Sequence, residues 1–146
     1  MQYQIYRPAS GLLPFIKYYW SLYEAASAQQ GQWELFIPDG QSEIIFNRQS
    51  SYGRKNAGKG QPQTVTGSTL VGQRQVPVLT RRQGKTRLFG VKLKPGALYL
   101  LSGQAEKAFA GQLLSLNTVA LPGLQALEEA VFSASDDVQR VYHNVA

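Results

Sequence analysis

Seven side chains, all but Arg74 on segments of strand character, are the candidates for a binding site: Trp20, Trp33, Phe36, Glu43, Arg74, Arg87 and Phe89. With Tyr18 and Phe46, the aromatic members could line a pocket for a flat or apolar small molecule, because such sites are mostly hydrophobic with a few polar anchors. The same residue types also make ordinary core. By period-two alternation Arg87 shares a strand face with Phe89, Val91 and Leu93, while Leu88, Gly90, Lys92 and Lys94 take the other. An arginine among apolar side chains is costly unless paired. Arg87 therefore either receives an anionic group in a pocket or, as the first residue of its strand, reaches out to solvent. Glu43 alternates with Ile45 and Asn47, opposite Ser42, Ile44 and Phe46. Both faces are partly apolar, so alternation does not choose the inner one. With the Glu43 face internal, its carboxylate needs a partner, for which Arg87 and Arg74 are the candidates.

Catalytic groupings do not emerge. The chain has no cysteine, and its single histidine, His143, lies three residues before the last one, Ala146. This removes the thiolate nucleophile, Cys-ligated zinc and the several histidines a metal-using cupin needs. No G-x-S-x-G elbow is present, and beyond Glu24 the only acids in the β-rich part are Glu34, Asp39 and Glu43, too few for paired-carboxylate hydrolysis. The expectation is a non-catalytic protein without cofactor or metal.

Two short runs position the candidates. In 37–47 (IPDGQSEIIFN), Pro38-Asp39-Gly40 supplies a fixed φ, a side chain that bonds its own backbone and a residue free to take φ > 0, which makes a tight turn between strands. In 87–96 (RLFGVKLKPG), an alternating strand meets Pro95, and the helix-forming 97–101 follows. Further strands are predicted at 3–6, 15–23, 33–37, 42–47, 64–71, 77–82 and 86–93, with a brief turn at 11–14. Residues 48–67, polar and basic with no acid, read as a long solvated excursion. After Pro95 the period changes: Leu121, Leu124, Leu127 and Val131 recur behind Pro122, and Val138, Val141, Tyr142 and Val145 behind Ser135-Asp136-Asp137, giving two amphipathic helices. The predicted fold is mainly β with C-terminal helices, a cupin-like β-barrel or jelly-roll over 1–115 followed by helices over 116–146. The second stripe either pairs with its twin in a homodimer or packs back on the barrel.

Length and charge set the outer bounds. A chain of 146 residues is the size of one domain with a true core. It has no apolar run of membrane-spanning length and no signal pattern, so a cytoplasmic location without membrane contact is expected. The net charge of +6 is uneven: residues 1–100 hold thirteen Lys/Arg against four Asp/Glu, and the remainder two against five. A basic surface can draw in nucleic acid. Arg54, Lys55, Lys59, Arg81, Arg82 and Lys85 are the residues a stand-alone nucleic-acid-binding β domain would use, although no recognised motif accompanies them.

The order of five segments resembles the N-terminal sensing domain of AraC-type transcriptional regulators. They are Tyr6-Arg7-Pro8, 13–20 (LPFIKYYW), 37–40 (IPDG) with 43–47 (EIIFN), 70–74 (LVGQR) and 88–96 (LFGVKLKPG). The resemblance implies a cupin-like barrel that senses a small-molecule effector or mediates dimerisation. It also implies helices leading to a helix-turn-helix domain that is not in this chain and through which alone DNA would be bound. The basic 48–67 stretch departs from the shorter connection of that family, so the effector class does not carry over.

Overall fold

The computed structural model describes residues 2–8, 10–25, 31–36, 39–47, 50–58, 60–74, 76–119 and 121–124. Short strands rich in Tyr, Trp, Ile, Val and Thr, broken at glycine and proline, build two antiparallel sheets. In chain order the described strands are β1 (Gln2–Tyr6), β2 (Ile16–Glu24), β3 (Glu34–Phe36), β4 (Glu43–Asn47), β5 (Ser51–Asn56), β6 (Gln63–Thr66), β7 (Thr69–Val71), β8 (Val78–Gln83), β9 (Thr86–Leu93) and β10 (Leu113–Ser115), and a short helix, α1 (Ala97–Ser102), lies between β9 and β10. The larger sheet runs β1-β2-β9-β4-β7-β10, the smaller β3-β8-β5-β6. Among the described residues no ladder joins one sheet to the other, so the hydrogen-bonded order does not close into a barrel.

The larger sheet is covered on both faces. On one, Ile16, Tyr19, Ile44, Phe46, Leu70, Phe89, Val91 and Leu93 pack against Ala97 and Leu98 of α1, Phe109 and Leu121. On the other, Ile45, Val71 and Leu88 meet Tyr52 and Val65 of the smaller sheet, which packs face to face there. All five residues of β4 are consequently buried. Alternation could not name the inner face of Glu43's strand because both faces are inside.

Turns carry the chain between layers. Gly40 takes φ 74° and the Gln41 N–H donates to Asp39 Oδ1 at 3.1 Å, the turn expected there, and it hands the chain from the smaller sheet to the larger. From β4 to β5 the Asn47 side chain closes the return: its Nδ2 donates to the Ser50 carbonyl at 3.1 Å and its Oδ1 accepts from the Ser50 N–H at 2.9 Å. The expected helix after Pro95 is α1, bounded by glycines at φ 88° and 76°. Two expectations change. The excursion at 48–67 holds all of β5 and β6, and the strand expected over 64–71 is two strands split at Gly67, which takes φ 77°. Of the amphipathic helices expected over 116–146, residues 116–119 and 121–123 are not helical, and everything beyond Leu124 lies outside the described residues.

Candidate functional site

Two rows of residues cross the inter-sheet face of the larger sheet. In the first, Tyr18 of β2, Lys92 of β9 and Glu43 of β4 are successive register partners; in the second, Trp20, Gly90 and Ile45 are. The absence of a side chain at Gly90 is what lets Trp20 lie down: a Cβ there would stand 1.9 Å from the indole Cε2. The indole thereby crosses β9 and donates from Nε1 to Glu43 Oε2 at 3.0 Å, while Tyr3 of β1 stacks on it with centroids 6.0 Å apart.

Lys92 is the centre of the charge. Its Nζ lies 2.9 Å from Asp39 Oδ2 and 3.3 Å from Glu43 Oε2, and the Lys92 and Glu43 side chains are only 8% and 9% exposed. A pair this buried must be mutually compensated, since removal of either partner strands the other. Burial alone would lower the Lys92 ammonium, but Glu43 and Asp39 outweigh it and raise the group above its ordinary value. Burial likewise opposes ionisation of Asp39, and the Lys92 contacts override it and hold the carboxyl below its ordinary value.

The smaller sheet contributes Tyr52 and, two residues on along the same face, Arg54. Burial pushes the Tyr52 hydroxyl up to about 12, and the electrostatic neighbours it feels are Arg54, Glu43 and Arg74. The polar residues of the two sheets thus converge on one inter-sheet space. Chemically the set offers an aromatic platform, an anchored ammonium and carboxylate, a phenol and guanidinium groups, which suits binding and orientation. Among the described residues no three His, Cys, Asp or Glu side chains are grouped as a metal site would require.

Residues 4–115 match the model of a family described as a domain of unknown function (DUF6597). The chain belongs to this family. The DUF6597 span contains the last three residues of β1 and everything through the last residue of β10, hence every residue of the site except Tyr3. No curated protein matches the chain.

Within the DUF6597 domain the seven candidates part company. Trp20 and Glu43 belong to the inter-sheet site, whereas Arg74 is half-buried in the loop three residues past β7 and reaches it only through its charge, which Tyr52 feels. Phe89 is on the opposite face, fully buried in the core under α1, where its ring lies 5.8 Å from that of Tyr19. Arg87, two residues earlier on that same face, is half-buried with its Cζ 5.5 Å from the Tyr23 ring centroid. Trp33 lies on the outer face of the smaller sheet, over Gly53, with Lys55 Nζ at 4.2 Å and Arg81 Cζ at 4.8 Å from its ring. Phe36 is 44% exposed on the edge strand β3. The Glu43 partner is Lys92 rather than Arg87 or Arg74: register sets Lys92 directly opposite, a relation that pairing creates and alternation along one strand does not contain. Sequence reasoning missed Lys92, Asp39, Tyr52 and Tyr3. The signal for Lys92 was a lysine set between Val91 and Leu93 in the apolar half of its strand.

Proposed function

We propose that this chain is the effector-sensing domain of an AraC-type transcriptional regulator, a non-catalytic cupin-like unit that holds a small molecule between its two sheets. The observation that carries this reading is the Trp20-Glu43-Lys92 set, with Glu43 and Lys92 buried and Trp20 half-buried, a few polar anchors beside Ile45, Val71 and Leu88, which is the composition of a small-molecule site. The order of the family-like segments, from Tyr6 to Gly96, supports the regulator assignment. A ligand seated there would favour one packing of the smaller sheet on the larger and, through β4 and β9, of the helical layer on the far face. Homodimerisation and DNA binding through a separate helix-turn-helix domain complete the proposal.

The test is calorimetric titration of the purified chain with small metabolites chosen from a thermal-shift screen, paired with promoter binding by the full gene product. The expected result is one-to-one binding, weakened about tenfold by Glu43→Gln through loss of a charged hydrogen-bond acceptor, and a ligand-dependent change in promoter affinity. Turnover of a bound compound, or a gene product without helix-turn-helix units, would overturn it.

A further inference from the structure

A sheet edge presents a row of unpaired main-chain donors and acceptors, which proteins blunt with charge, proline, a bulge or a very short strand. Among the described residues four strands are edges: β1 and β10 of the larger sheet, β3 and β6 of the smaller. β10 and β3 have three residues each and β6 has four, whereas β1 has five. Gln2–Tyr6 contains no charged residue and no proline. Its ladder to β2 runs from Gln2 opposite Tyr23 to Tyr6 opposite Tyr19 without a register shift, so no bulge turns the outer edge away. The longest edge is thus the unprotected one.

Alternation and register put Tyr3 and Ile5 on the face of Leu22 and Trp20, where they are 50% and 60% exposed. On the other face the Tyr6 hydroxyl donates to Gln4 Oε1 at 2.6 Å and lies 3.1 Å from Ser21 Oγ, contacts that fix the strand to its last residue. The pattern is symmetric about Gln4. Turned end for end, the strand sets Gln4 against Gln4 and Tyr3 against Ile5, so each exposed apolar side chain meets another. Charge selects the same occupant. An acidic or basic strand laid on this edge finds no counter-charge within it, and a copy of β1 brings no charge that needs one.

We propose that β1 pairs antiparallel with β1 of a second copy of this chain about a two-fold axis at Gln4, joining the larger sheets of two protomers into one. A stable interface takes about 20 residues or more from each partner, and this edge offers five. The dimer is therefore weak and concentration-dependent. It gives a surface to the homodimer of the reading above, and its test needs neither effector nor DNA. The axis lies beside the inter-sheet site, because Tyr3 stacks on Trp20 and Ile5 of the second copy is set against Tyr3.

The experiment is sedimentation velocity of the full chain over a concentration series, joined to disulfide trapping. The parent's weight-average mass is expected to climb toward twice the monomer value as concentration rises to about 1 mM. Ile5→Lys is expected to stay at the monomer value, because a charge on the edge opposes pairing, and to keep the parent Tm, because the side chain is exposed. Val141→Glu, in the second apolar stripe, is expected to dimerise as the parent does. Register is read by cysteine. The chain has none, so Gln4→Cys sets one thiol opposite its copy, at the Cα spacing of about 4.5–5.5 Å that a disulfide spans. Mild oxidation is expected to give about tenfold more covalent dimer from Gln4→Cys than from Gln63→Cys on the β6 edge, since only the former thiols are held together. If Ile5→Lys melts early, the trapping ratio decides by itself. A parent that stays monomeric throughout, or equal trapping at the two positions, would overturn the proposal. A dimer that survives Ile5→Lys, whether or not Val141→Glu dissociates it, would leave homodimerisation standing and remove the β1 pairing alone.

Discussion

Lys92 carries more consequence than any other single side chain. Its ammonium is the counter-charge of a buried Glu43, so Lys92→Met leaves that carboxylate uncompensated and is expected to cost about 3–5 kcal/mol in urea unfolding. The double variant with Glu43→Gln is expected to recover most of the loss, because both charges are then gone. The same cluster sets the pH limits of stability. Lys92 is raised above 10.5, so its contribution is complete below that pH and is lost as pH climbs through its higher folded value. Asp39 is lowered below 3.8, so its contribution is present above that pH and is lost as pH falls through its lower folded value. With its side chain 42% exposed, Asp39 is screened and its limb is the shallower one. Denaturation midpoints followed across pH should show both limbs in the parent and neither in Lys92→Met. The participants were only partly legible beforehand. Glu43 announced itself as a carboxylate on an apolar strand, whereas its partner depended on which residue of β9 register would set opposite.

Elements join through Arg82. From β8 its guanidinium reaches Glu24, at the end of β2 in the larger sheet, and Glu34 in β3 of the smaller, with Nη1 3.1 Å from Glu34 Oε2. β3 is a three-residue edge strand whose Leu35 and Phe36 are both exposed, so little apolar burial holds it. Arg82→Ala is therefore expected to loosen β3 first: hydrogen exchange at Glu34–Phe36 should accelerate by an order of magnitude or more while the β9 amides keep their protection. The loss of the Glu24 partner should lower global stability by about 1–3 kcal/mol. The strands easiest to read were those with branched and aromatic runs, such as β2 and β9. Ser51–Asn56 reads as loop because it contains glycine, arginine, lysine and asparagine in six residues. It is a strand because Tyr52 anchors in the core, Gly53 seats the Trp33 ring, and ladders from β6 and β8 flank it on both sides. These are tertiary gains that override local preference, invisible to composition.

At the scale of the molecule, the described cations that a nucleic-acid-binding domain would use do not share one face. Of the cations a nucleic-acid-binding domain would use, Arg54 faces the inter-sheet space and Arg82 is consumed by two carboxylates. Lys55 and Arg81 point outward but bracket Trp33, and Lys85 lies apart over Tyr23. Lys59 lies outside the described residues. A backbone-tracking stripe needs several lysines and arginines on one face, each releasing counterions from phosphate. With two of five turned inward, the chain alone should bind duplex and single-stranded DNA weakly. Fluorescence anisotropy at 50 and 200 mM salt is expected to give a log-log slope of magnitude about 2 or less, the value for about two phosphate contacts. A slope of 5 or more would mean that the outer face of the smaller sheet tracks a nucleic-acid backbone, and the Trp33 ring with its two cations would then be the stacking platform rather than a local packing device. Lys55→Gln and Arg81→Gln would each lower that slope by about one, whereas Arg54→Gln, on the opposite face, would leave it unchanged.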